Sequence, residues 1–138
     1  MDLTGEPPNA PVDVTVASHG IYSDSQPFFM LLATLAPGVS HLRETVWRRR
    51  FTHVPELRRL GADIEVTEAR ARIRGGCPPN RPDQSVAGGD LRAAAALLLA
   101  ALAVPGQVRV HGAEHLVRGY EDLVTDLVRL GAHIRSEP

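Results

Sequence analysis

No lysine occurs in the chain, and all fifteen basic side chains among its 138 residues are arginine. Amine nucleophiles, Schiff bases and compact ammonium contacts are therefore excluded within this chain, and guanidinium groups must meet any anion it binds. Cysteine is nearly absent. Cys77 alone, in the loop-like run Gly75-Gly76-Cys77-Pro78-Pro79, excludes an internal disulfide and fits a reducing cytoplasm. Apart from Arg74 and Arg81, nothing nearby would activate its thiol. Long apolar runs are missing too: the longest, Ala93 to Val104, is too short to cross a bilayer and suits a buried core helix. The first ten residues, with Asp2, Glu6, Pro7 and Pro8, have neither the basic start nor the apolar stretch of a signal peptide. A net charge of -1 and a pI near 6.6 give no global pull toward nucleic acid or anionic membrane, so neither is expected as a partner. The cluster Arg48-Arg49-Arg50 with Arg58-Arg59 does not change that, because a nucleic-acid surface would add aromatics and a basic balance.

What is present is ordinary for a folded domain: 43% hydrophobic and 22% charged residues, in a chain large enough to bury about two thirds of its unfolded surface. Residues 1–11 read as a mobile lead-in. Val12, Val14 and Val16 then alternate as a strand. Ser23-Asp24 offers helix-capping chemistry before the apolar run Phe28 to Ala36, which Pro37-Gly38 stops. Val39 to Val46 suits a second strand. Thr52 to Leu60 suits a second helix, with Pro55 in its first turn and Gly61 as a left-handed cap. Ile64–Val66 and Ala71–Ile73 alternate as a hairpin around Glu68.

The pattern then repeats. Asp24, Pro37-Gly38, Arg50 and Leu60-Gly61-Ala62-Asp63-Ile64 are echoed by Asp90, Pro105-Gly106, Arg118 and Leu130-Gly131-Ala132-His133-Ile134. The sequence thus predicts a first βαβαββ unit over 12–76, a connection over 77–89 with a short strand around Val86, and a second, truncated unit over 90–138. Helices this apolar need cover on most sides, whereas alternating strands need one buried face, so the helices are expected inside and the sheets outside. Two such units should leave part of the helical core exposed unless a third unit or another chain covers it.

Three stretches carry a resemblance to a known family: Arg50-Phe51-Thr52-His53-Val54-Pro55-Glu56-Leu57 followed by Leu60-Gly61-Ala62-Asp63-Ile64, then Asp90-Leu91-Arg92-Ala93, then Arg118-Gly119-Tyr120-Glu121. They resemble, in order, signatures of the enolpyruvyl transferase family, most closely its UDP-N-acetylglucosamine branch, over about Pro11 to Ser136. The resemblance implies an α/β (α+β) inside-out barrel of tandem βαβαββ units, this chain supplying two of the three units of one lobe, from the carboxy-terminal third of the enzyme. It further implies transfer of enolpyruvate from phosphoenolpyruvate to UDP-N-acetylglucosamine in peptidoglycan precursor synthesis, with no cofactor and no metal. Asp24 falls where the family has its general base. Arg50, Arg92 and Arg118 match its phosphate- and carboxylate-binding arginines, and Val46 and Trp47 match nucleotide contacts. The implied partners are a UDP-sugar, phosphoenolpyruvate, and either a complementary lobe or a second copy.

Other readings stand beside these. Asp24 also fits a helix cap, and the arginines also fit solvated surface charges. The reactive cysteine loop and lysine-asparagine pair of the family lie in parts this chain does not contain, so the chain is expected to be inactive alone, or to be a non-catalytic binding or assembly module. Tyr22-Ser23 replaces proline-threonine and Arg48-Arg49 replaces glutamate-asparagine, which leaves room for another acceptor, such as a secondary-metabolite nucleotide or shikimate phosphate. His111-Gly112-Ala113-Glu114-His115 spells an H-x-x-E-H zinc string, but Gly112 follows a strand-like stretch and begins a turn, where that string needs a helix.

Overall fold

A computed structural model describes residues 5–137. The first four residues of the expected lead-in and the last residue of the second unit lie outside the described residues. The first part of the chain runs β1 (Val14–Val16), α1 (Gln26–Leu35), β2 (Val39–Glu44), α2 (Val54–Arg59), β3 (Asp63–Thr67) and β4 (Arg70–Arg74). The second runs β5 (Gln84–Ala87), α3 (Leu91–Ala103), β6 (Val108–His111) and α4 (Leu123–Arg129). Short 3-10 turns sit at Ser23–Ser25 and Ala113–Arg118.

β1 to β4 form one sheet in the order β1-β2-β4-β3, with β1 parallel to β2 and the remaining pairs antiparallel. β5 and β6 pair in parallel as a second, two-stranded sheet. The strand around Val86 is thus β5, inside the stretch read as a connection. β1 starts two residues later than the valine alternation suggests, because the Val12 N–H donates to Ser40 Oγ (2.8 Å).

The duplicated Leu-Gly-Ala has a common physical basis. After α2, the Gly61 N–H donates to the Arg58 carbonyl and the Ala62 N–H to the Leu57 carbonyl; after α4, the Gly131 and Ala132 N–H groups reach Val128 and Leu127 in the same pattern. Both are Schellman caps, which need a left-handed residue, and Gly61 and Gly131 have φ of 107° and 100°. A sequence echo seventy residues apart therefore encodes two identical helix stops.

α3 is the most enclosed helix. Ala93 to Leu98 and Ala100 are all buried, and its run of alanines allows close approach: a Cβ on Gly88 would strike the Ala94 backbone. The main core joins Met30 and Ala33 of α1, Leu57 of α2 and Leu97 of α3 to Leu42, Ile64 and Ile73 of the four-stranded sheet. Helices therefore lie against the inner faces of the sheets. The helical layer keeps an uncovered side among the described residues: Leu32, Leu102, Val128 and Leu130 are exposed, and α4 has no buried residue.

Candidate active site

Asp24 sits in the 3-10 turn ahead of α1, yet no side chain caps that turn or α1. The capping alternative is thereby removed. Instead the carboxylate points away from the helix: Arg50 Nη2 donates to Asp24 Oδ1 at 2.8 Å, and Arg92 Nη2 approaches Oδ2 at 3.5 Å. Its counterpart in the repeat does the opposite. Asp90 Oδ1 accepts from the N–H groups of Arg92 and Ala93, both at 2.9 Å, and so caps α3. Two aspartates at equivalent positions have diverged, one structural and one exposed for 61% of its side-chain surface between two cations.

Each arginine is aimed by its own support. Arg50 ends the turn after Trp47, where its N–H donates to the Trp47 carbonyl at 3.0 Å and its carbonyl accepts from the buried Gln26 side chain at 3.5 Å. Arg92, in the first turn of α3, donates from Nη1 to Tyr120 Oη at 2.9 Å while its Cζ lies 5.6 Å from the Tyr120 ring centroid. The Tyr120 hydrogen bond, opposed by burial and then aided by Asp24, raises the Arg92 pKa above the ordinary arginine value. Arg92 Nε is shielded from solvent and without an acceptor among the described residues.

Arg118 ends the 3-10 segment that packs on α3, is exposed, and joins no ion pair among the described residues. The structure therefore gathers Asp24, Arg50 and Arg92 and does not pair Arg118 with them. Val46 and Trp47 are exposed for 43% and 63% of their surface on the loop after β2. A small pocket of about 170 Å³ opens there, lined by Trp47, Arg49, Arg50, Thr52 and Asp90.

Two supporting residues were missed from the sequence. Glu44, only 1% exposed, accepts from Ser23 Oγ (2.9 Å) through Oε2, and from the N–H groups of Val46 (2.9 Å) and Trp47 (3.0 Å) through Oε1. It ends β2 two residues before the expected Val46 and ties the Asp24 turn to the Trp47 loop. The available signal was parity, since Ser40, Leu42 and Glu44 share the inward face of β2. Tyr120 belonged to a recognised motif but had no role there.

His53 is another buried polar group. Burial lowers its pKa from 6.5 to about 4, with Asp90 raising it and Arg50 lowering it to lesser degrees. The folded value lies below the unfolded one, so the unfolded chain takes up a proton first as pH falls. The stability from neutral His53 is present above pH 6.5 and is lost progressively between 6.5 and about 4. At 1.36 kcal/mol per unit, urea denaturation at pH 7 and 4.5 should show a loss about 2 kcal/mol smaller in His53→Gln than in the unsubstituted chain. Equal losses in both would remove His53 from the acid response.

The H-x-x-E-H string is broken in space. His111 ends β6 with Nε2 2.8 Å from Ser85 Oγ, Gly112 is left-handed at φ 87°, and Glu114 and His115 follow in the 3-10 segment. Among the described residues no cluster of three or more metal-ligating side chains occurs.

These features belong to a known class. The chain matches the family profile described as EPSP synthase (3-phosphoshikimate 1-carboxyvinyltransferase) over residues 7–127, and it belongs to that family. Among individual proteins, the UDP-N-acetylglucosamine 1-carboxyvinyltransferase of Anaeromyxobacter sp. (strain Fw109-5) is 46% identical over 99% of this chain and 32% of its own length. The same-named protein of Halothermothrix orenii is 44% identical over 91% of this chain and 30% of its own. The crystal structure of the enolpyruvyl transferase NikO from Streptomyces tendae superposes with a TM-score of 0.90 and 52% identity, covering 93% of this chain and 29% of that one. The chain thus spans about a third of the length of the relatives it matches.

Proposed function

We propose that this chain contributes the acceptor-activating and anion-binding part of an enolpyruvyl transferase, which moves enolpyruvate from phosphoenolpyruvate to the hydroxyl of a UDP-sugar and releases phosphate. The observation that carries the proposal is the Asp24–Arg50–Arg92 cluster. A solvent-facing carboxylate held by two half-buried guanidiniums is poised for exchange: an arriving phosphate or carboxylate takes the forks, and Asp24 is freed as the base for the acceptor hydroxyl. Arg118 joins only if the 3-10 segment turns it toward the ligand. Val46 and Trp47 would meet the nucleotide, on a loop whose shape Glu44 sets.

Catalysis is proposed to need the remainder of the enzyme, whether joined to this sequence or supplied separately, since the family's reactive cysteine loop and lysine have no counterpart in these 138 residues. The test is reconstitution: the chain mixed with an amino-terminal lobe of a related transferase and assayed for phosphate release from phosphoenolpyruvate. Release that depends on both polypeptides and on a UDP-sugar is expected. No release with any nucleotide or sugar acceptor would leave the chain as a binding module.

A second reading concerns the acceptor alone. Identity is 52% to NikO against 46% to the UDP-N-acetylglucosamine protein of Anaeromyxobacter, and the acceptor loop carries Trp47-Arg48-Arg49 in place of the family's phenylalanine-glutamate-asparagine. The added positive charge favours a nucleotide with more exposed phosphate than the UDP-sugar. Peptidoglycan synthesis and a cytoplasmic location follow only if UDP-N-acetylglucosamine is the acceptor.

A further inference from the structure

The outward face of the four-stranded sheet carries chemistry that the Asp24 cluster does not use. On β2, Ser40, Leu42 and Glu44 point into the core while His41 and Arg43 are exposed, and the register aligns the exposed residues in rows across all four strands. Two rows carry their own carboxylates. His41 Nδ1 lies 3.4 Å from Asp13, Arg72 is 3.9 Å from Glu65, and Arg74 is 3.3 Å from Asp63. The remaining row differs. Thr15 pairs with Arg43, Arg43 with Arg70, and Arg70 with Thr67, so two guanidinium stems stand directly opposite each other with a threonine on either flank.

Neither Arg43 nor Arg70 joins an ion pair among the described residues. The carboxylates nearest in sequence stay apart from them: Glu44 points into the core, and Glu68 is exposed at the hairpin turn with φ of 53° and does not line the groove. Like charges directly opposite on neighbouring strands repel, and this is the row of the face in which no carboxylate stands beside the arginines. The four side chains line one part of an open groove of about 520 Å³ on this face, whose other part holds the Asp13–His41 and Glu65–Arg72 pairs. Stems about 5 Å apart let two guanidinium forks close on one tetrahedral anion, with threonine hydroxyls left to donate to its remaining oxygens.

We propose that the row Thr15–Arg43–Arg70–Thr67 binds the phosphate group of a small phosphorylated anion, at a site independent of the enolpyruvyl transfer reading. Two sources share this chemistry, a free phosphate compound and a phosphomonoester lipid headgroup. The full chain is titrated with inorganic phosphate while its amide and arginine Nε–Hε resonances are followed, and it is separately sedimented with phosphatidylcholine vesicles containing phosphatidate.

Saturable shifts at Thr15, Arg43, Thr67 and Arg70 are expected with phosphate, weakened at least tenfold in Arg43→Gln and again in Arg70→Gln, while any shifts at Arg50 and Arg92 stay the same in both variants. Arg74→Gln, on the same face but outside the groove and paired with Asp63, should bind as the unsubstituted chain does. Binding to vesicles without binding to phosphate, lost in the same two variants, would assign the site to a headgroup. Both substituted positions are exposed, and the variants' amide spectra report that the sheet persists. Saturation by neither probe, or saturation that survives both substitutions, overturns the proposal.

Discussion

Asp24→Asn is expected to lower turnover of the reconstituted transferase by about 10²- to 10⁴-fold, the range for losing a positioned general base. The Michaelis constant for phosphoenolpyruvate should stay level or fall, because asparagine no longer neutralises Arg50 and Arg92 and leaves both forks to the substrate. Stability should change by less than about 1 kcal/mol, since the carboxylate is mostly exposed and its ion pairs are screened by water. This split separates two roles that the geometry alone joins. A base and a counter-ion both sit beside arginines, but only loss of the base slows the chemical step. Turnover of Asp24→Asn within a few-fold of the unsubstituted chain would make Asp24 a counter-ion and move the base elsewhere.

Glu44→Ala is expected to cost about 2–4 kcal/mol of folding stability. The substitution leaves the Ser23 hydroxyl and the Val46 and Trp47 N–H groups without their acceptor, and hydrogen bonds to a buried carboxylate are among the stronger ones. Glu44→Gln should restore most of that, because its carbonyl oxygen can still take both N–H groups while its amide donates to Ser23. The chain reports the event itself: Trp47 is the only tryptophan, so its fluorescence anisotropy follows the loop. A drop in anisotropy with faster amide exchange at Val46 and Trp47 is expected in Glu44→Ala. A melting midpoint and anisotropy equal to those of the unsubstituted chain would show that the loop holds its shape without the carboxylate.

The contrast between Asp24 and Glu44 shows what the sequence made legible. Pattern recovers whatever repeats or alternates. The duplicated Leu-Gly-Ala marks two Schellman caps, the hairpin turn falls at Glu68, and the alanine-rich run forms the most enclosed helix. Direction was not legible. Asp24 and Asp90 look alike in sequence, and only coordinates reveal that one caps a helix while the other faces two guanidiniums across the fold. That choice depends on where Arg50 and Arg92 arrive from, which is a tertiary matter. α2 is shorter than the predicted Thr52–Leu60 because residues 48–53 are spent on the turn that carries Arg50 and buries His53.

Arg118 illustrates the opposite limit. Its motif and its place in the repeat matched Arg50, but the repeat could not reveal that Arg118 is exposed and joins no ion pair among the described residues. Glu44 was legible in principle, because an acid at an inward parity position of a strand must find donors or be expelled. Tyr120 was not, since its hydroxyl matters only once α3 and the 3-10 segment are packed together.

The most direct measurement is a titration of the chain with phosphoenolpyruvate, followed through the side-chain Nε–Hε resonances of its arginines. Saturable shifts at Arg50 and Arg92, abolished in Arg92→Ala, are the expected result. Shifts that avoid Arg50 and Arg92, or that persist unchanged in Arg92→Ala, would contradict the assignment of the Asp24 cluster as the anion site.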